Sequence, residues 1–166
     1  MINKIIAISD INVKIYSEQP EDYKIGDIVS TPDGKYKFEV VESDTFWISL
    51  TPEKESKFDG AACYRICSFV VLRNKNTGKL LAHFNTHLDH VSTEAQNLGG
   101  NLIAEKAEEI KAKYGEITTV ITGDFNQFPD GLAIKALEEK GFVKASDTVE
   151  NGNAIGIMSS MNRVGG

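Results

Sequence analysis

The chain has 166 residues, 41% of them hydrophobic, which suffices for one domain with its own core and gives no sign of a second. Eighteen Lys and Arg stand against 24 Asp and Glu, a net charge of −6, so the chain lacks the basic footprint of a protein that tracks long nucleic acid. The two cysteines, Cys63 and Cys67 in CYRIC, fit neither a CxxC redox pair nor a zinc knuckle and read as small packing residues.

At the amino terminus, MINKIIAISD holds only a short apolar patch, interrupted by Ser9 and Asp10, which makes a poor signal peptide. No stretch approaches the roughly 18 apolar residues of a membrane span. The expectation is a soluble protein whose native compartment is left open. Ile5 and Ala7, then Ile11, Val13 and Ile15, predict one or two strands; SEQPEDYK is a polar turn, IGDIVS a short strand and TPDGK a turn. KYKFEVV alternates as a strand should, and Phe46-Trp47-Ile48 reads as a second, more buried strand. After the loop PEKESKFDGA, residues 63–72 and LLAHFNTH form a hairpin, with Gly78 near its turn.

The best helix follows LDHVS. Thr93 and Gln96 suggest a capping box, Leu98, Leu102, Ala107 and Ile110 share one side, and Gly115 is a stop. Gly99-Gly100 either weakens the helix, at about 1 kcal/mol per glycine, or marks a close packing contact. ITTVITG is a strand, GDFNQFPD a loop, and a short helix runs from about Gly131 to Glu139, capped by Asp130 and stopped at Gly141. A last short strand is expected near FVKAS, and NGNAIGIMSSMNRVGG reads as loop or frayed end.

Two strand ends carry the chemistry: FNTHLDH at 84–90 and GDFN at 123–126. A helix links them, so the strands should lie parallel with their carboxyl ends together. Asn85, His87, Asp124 and Asn126 then converge. Amide and imidazole donors hold phosphoryl oxygens, and a carboxylate binds a hard divalent metal or orients water. His83 reads as a partly exposed sheet residue, and His90 as a residue at the helix start.

NTHLDH followed by a helix and then ITGDFN resembles the endonuclease/exonuclease/phosphatase superfamily, which includes deoxyribonuclease I. The likeness extends upstream through SDTFWISLT and CYRIC and downstream to FVKASDTV, about Ser43 to Val149. It implies that His87 contacts the scissile phosphate, that Asp124 positions or deprotonates the attacking water, and that Asn126 stabilises charge on phosphorus. Asn85 and Arg65 are implied as supporting residues, and Asp147 matches the aspartate that orients a general-base histidine. Asp124 and Asn126 are the implied metal set, for Mg²⁺ or Mn²⁺.

The chain departs from the family pattern in having no histidine after His90 and no clear glutamate strand end at its front; Glu21, in SEQPED, reads as turn composition. The resemblance therefore implies the second half of a family domain: divergent amino-terminal strands over 1–42, the family-like region over 43–149 and a flexible tail over 150–166. The implied fold class is α/β, a deoxyribonuclease I-like α/β sandwich that is incomplete, one sheet with flanking helices whose second sheet is missing, rebuilt or supplied by a partner. Phe69, Val71, Phe84 and Val120 would line an uncovered inner face, so a homo-oligomer or a partner chain is expected. The function implied is divalent-metal-dependent hydrolysis of a phosphoester, on a small molecule or nucleic acid. The alternative is a truncated, non-catalytic phosphate-binding or interaction module.

Overall fold

The computed structural model describes residues 3–9, 12–15, 24–30 and 34–144, the first two stretches by backbone alone. The strands are β1 (Asn3–Ser9), β2 (Asn12–Ile15), β3 (Ile28–Ser30), β4 (Lys37–Trp47), β5 (Ile66–Asn74), β6 (Leu80–His87) and β7 (Ile117–Asp124); the helices are α1 (Thr93–Tyr114) and α2 (Leu132–Glu139). They form one mixed sheet in the order β2-β1-β3-β4-β5-β6-β7. The pairs β3–β4, β4–β5 and β5–β6 are antiparallel, and β6–β7 is parallel, as the linking helix requires. The architecture is α/β, with one sheet and two helices.

The two strands expected before and after Asp44 are a single strand, β4. A bulge between Val40 and Glu42 shifts its register against β5. The extra residue lets two alternation frames follow one another: Val40 packs with Leu72 and Val29 on one face, while Phe46 enters the main core on the other. β4 also runs across residue 43 unbroken. The β5–β6 turn is held by Asn74, whose Oδ1 accepts from the N–H groups of Asn76 and Thr77, while Gly78 at φ 73° donates to the Asn74 carbonyl.

The main core lies between the sheet and the helices and includes Phe46, Cys67, Phe69, Val71, Phe84, Leu88, Ile103 and Ile110. This corrects the expectation for the open face. Phe69, Val71 and Phe84 are buried among the residues that pack with α1, and only Val120 alternates to the other side. The register places Thr45, Ser68, Asn85 and Thr122 on that other side, so it is far more polar than anticipated.

Helix ends also differ from expectation in instructive ways. Ser92, one residue earlier than the predicted cap, accepts from Ala95 N–H through Oγ; Gln96 is turned into the interior instead of closing a box with Thr93. Gly115 ends α1 as predicted. For α2, the cap position is Gly131 with no side-chain cap bond there, and Asp130 does not supply one; Gln127 Oε1 accepts from Ala133 N–H instead. Gly99 and Gly100 mark close contact. A Cβ on Gly99 would lie 2.9 Å from Ile48 and Leu88, and one on Gly100 would lie 2.7 Å from Ala133 Cα, so the pair lets α1 lie against the residues just past β4 and β6 and against α2. Phe142, Val143 and Lys144 form no strand, and Glu21, residues 145–149 with Asp147, and the tail 150–166 lie outside the described residues. No helix among the described residues is long and apolar enough to cross a membrane.

Candidate active site

β6 and β7 end together. Their parallel register runs from Leu80 opposite Ile117 to His87 opposite Asp124, and Leu88 N–H continues it to the Asp124 carbonyl at 2.9 Å. Gly123 makes this possible. Its φ is 144°, and a Cβ there would fall on the Thr86 carbonyl oxygen, so any other residue would push the strand ends apart just beside the two functional side chains.

His87 Nε2 lies 3.9 Å from Asp124 Oδ2, with side chains 55% and 38% exposed. That is contact without a tight hydrogen bond, at a place solvent and a ligand can reach. Asp124 Oδ1 accepts from the backbone N–H of Asn126 at 2.8 Å, which fixes the carboxylate's rotation. Asn126 sits at φ 51°, a left-handed conformation that asparagine tolerates better than most residues. Its Nδ2 donates to the Leu88 carbonyl at 2.9 Å, and its Oδ1 accepts no hydrogen bond among the described residues. Asn85 is exposed two residues before His87 on the same face, its Oδ1 accepting from Thr122 Oγ1 at 3.1 Å. The four residues predicted to converge thus share one corner of the sheet.

Arg65 and Asp89 belong to a neighbouring cluster. Asp89 is 2% exposed. Burial alone would raise its carboxyl, but backbone N–H donors from Ser92, Cys63, Val91 and Ala62 outweigh it and hold the pKa down at about 2. Asp89 thereby ties the lead-in to β5 to the start of α1. Arg65 Nη2 lies 3.3 Å from His90 Nδ1, and Arg65 Nε is buried with no hydrogen-bond partner among the described residues. Ligand atoms of Cys63, Asp89 and His90 lie within 4.8 Å of one another, a grouping that could hold a metal ion. Asp89's oxygens, though, are already taken by backbone donors, and a guanidinium stands against His90. The chemistry of that grouping is a structural clamp.

Two glutamines have roles that the sequence did not reveal: Gln96, expected to close a capping box, and Gln127. Gln96, 5% exposed, donates to the Asp89 carbonyl at 2.7 Å and the Asn126 carbonyl at 3.2 Å. Gln127 Nε2 donates to Gln96 Oε1 at 2.8 Å. Together they lash the GDFN loop to both helices; the available signal was a polar residue inside the buried face of α1. His83, expected to be partly exposed, is 8% exposed, and burial lowers its pKa. Asp147 lies outside the described residues, so its place relative to His87 is not part of this geometry.

The donor set at Asp124 fits a hard cation: one accessible carboxylate and an amide oxygen two residues on, both oxygen ligands of the kind Mg²⁺ and Mn²⁺ take together with water and substrate oxygens.

No protein-family model matches the chain, and no curated protein does. Solved structures do. An endonuclease/exonuclease/phosphatase family protein of Bacteroides thetaiotaomicron matches with a TM-score of 0.58 and 35% identity, covering 63% of this chain and 37% of that one. A mannosyl-6-phosphatase of the same organism matches at 0.59 and 35%, covering 63% and 39%. An endonuclease/exonuclease/phosphatase of Bacteroides vulgatus matches at 0.55 and 35%, covering 61% and 38%. The chain thus spans well under half the length of the structures it matches. In fold and in sequence, the matched stretch of this chain is similar to proteins of the endonuclease/exonuclease/phosphatase family.

Proposed function

We propose that this chain carries the phosphate-handling corner of a divalent-metal-dependent phosphoesterase. The observation that supports the reading most is the His87–Asp124 pair, facing solvent at the matched carboxyl ends of two parallel strands. His87 is placed to donate to a phosphoryl oxygen. Asp124, its carboxylate fixed by Asn126 N–H, is placed to orient water, and the Oδ1 of Asn126 stands beside it. Asp124 and Asn126 would hold Mg²⁺ or Mn²⁺, the divalent-metal chemistry general in the superfamily. Such an ion supplies charge neutralisation at a phosphoryl oxygen and at the leaving oxygen.

A small phosphoester is the favoured substrate class. The net charge of −6 disfavours long duplex nucleic acid, and one similar structure is a mannosyl-6-phosphatase, which makes hexose phosphates the first compounds to try. The test is release of phosphate or p-nitrophenol from mannose 6-phosphate, p-nitrophenyl phosphate and bis(p-nitrophenyl) phosphate with Mn²⁺, Mg²⁺ or EDTA. Turnover with metal that EDTA removes is expected; equal rates with and without EDTA would contradict the proposal.

A second reading has its own support. His87 Nε2 and Asp124 Oδ2 stand 3.9 Å apart, too far for the hydrogen bond of an acid–base pair, and general acid–base assistance is worth roughly 10²–10⁴ in rate. Under that reading the corner binds phosphate without turning it over, and the same assay separates the two.

A further inference from the structure

Behind the site, on the face of the sheet opposite the helices, runs a line of polar partners: Thr45, Ser68, Asn85 and Thr122 pair in succession across β4, β5, β6 and β7. One row further from the site is His83, its Nε2 2.8 Å from Thr122 Oγ1. The same hydroxyl lies 3.1 Å from Asn85 Oδ1 and 3.3 Å from the Phe84 carbonyl. Both of those oxygens are acceptors, and a threonine hydroxyl has one proton to give. If His83 Nε2 were also an acceptor, three acceptors would crowd around that one proton. The satisfiable arrangement has the proton on His83 Nε2, donated to Thr122 Oγ1, with the Thr122 proton donated to Asn85 Oδ1.

That order fixes the asparagine amide. Its oxygen is tied behind, and its NH₂ makes no hydrogen bond among the described residues. Asn85 and His87 lie on the same face of β6, about 6–7 Å apart along the strand, a gap that one phosphoryl group hydrogen-bonded on both sides fills. Burial pushes the His83 pKa below its ordinary value, in the direction that favours a single-donor imidazole.

We propose that His83 and Thr122 are positioning residues whose relay holds the Asn85 NH₂ toward the phosphoryl group bound at His87 and Asp124. This rests on the phosphate-handling reading of the corner, and its test is phosphate binding, which requires no turnover. Nitrogen-15 NMR should show His83 protonated at Nε2 and not at Nδ1; the opposite tautomer overturns the relay. Titrating inorganic phosphate should shift both the His87 ring and the Asn85 side-chain amide. Thr122→Val should weaken phosphate binding about three- to tenfold, the effect of one hydrogen bond to a charged ligand made less well. Thr122→Ser should restore it, and Thr122→Val should add little in an Asn85→Ala background.

His83→Gln, which keeps a donor, should bind as wild type, and His83→Phe as Thr122→Val, so the relay remains testable if one variant folds poorly. A shift at His87 without one at Asn85, or a full Thr122→Val effect in the absence of Asn85, overturns this inference alone. No response at either residue overturns the phosphate reading and the inference with it.

Discussion

A methyl group on residue 123 would fall on the carbonyl of Thr86, so Gly123→Ala is expected to cost more than about 3 kcal/mol and to separate His87 from Asp124. A urea titration reads the first effect, and a wild-type midpoint would show that the strand ends are not so closely apposed. Asp89 makes a different prediction. Its folded pKa of about 2 lies below the ordinary carboxyl value of 3.8, so the stability it contributes is present above about pH 4 and is lost as pH falls toward 2. That contribution is on the order of 2 kcal/mol. Asp89→Asn should therefore be destabilised by about 1–3 kcal/mol at pH 6, with the gap to wild type narrowing at pH 2.5. A gap independent of pH would mean the carboxylate is not what the backbone donors hold. Cys67 is fully buried, with its thiol pushed up to about 12, while Cys63 is half-buried. His87, Asp124 and Asn126 were legible in the sequence because each sits at or just past a strand end announced by an apolar run. Asp89's role was not, because it depends on N–H donors of residues 62 and 63, far away in sequence.

At the scale of elements, the glycine pair in α1 sets the contact with α2. Gly100→Ala would gain about 1 kcal/mol of helix propensity but place a Cβ 2.7 Å from Ala133 Cα, where backbone cannot yield as a flexible side chain can. Overpacking of this kind costs about 1–3 kcal/mol, so the net expectation is destabilisation, read as a lower melting temperature. A higher one would show that α2 moves freely away from α1. Gln96 links α1 to the GDFN loop through the Asn126 carbonyl and to the segment after β6 through the Asp89 carbonyl, and Gln96→Leu should leave the helix in place while raising hydrogen exchange at Asp124 to Gln127. The hairpin, the long helix and the parallel pair could all be read from turn residues and periodicity. The bulge in β4 could not, because each half of the strand shows a clean alternation and only the register with β5 reveals that they are one. Nor could the sources of the caps: a Gln four residues before Gly131 in sequence does the work that the adjacent Asp130 was expected to do.

For the molecule as a whole, the sheet has one face packed by helices and another that is mixed. Thr45, Ser68, Asn85 and Thr122 make the second face polar near the site, while Val70 and Val120 keep part of it apolar. The placement of Phe69, Val71 and Phe84 on the packed side removes the largest apolar surface for which a covering subunit was expected. Covering by a second copy or another chain remains a proposal, and sedimentation across a range of protein concentrations tests it. The sequence showed the face to be present but not which residues faced it, because strands covered on both sides lose the alternation that tells one face from the other. We propose that His87 and Asp124 form a working phosphoester site, and the direct measurement compares Mn²⁺-dependent phosphoester hydrolysis by the wild type with that of Asp124→Ala and His87→Ala. Losses in kcat of about 10²-fold or more in both variants, with melting temperatures unchanged, are the predicted result. Turnover equal to wild type in Asp124→Ala would contradict the account.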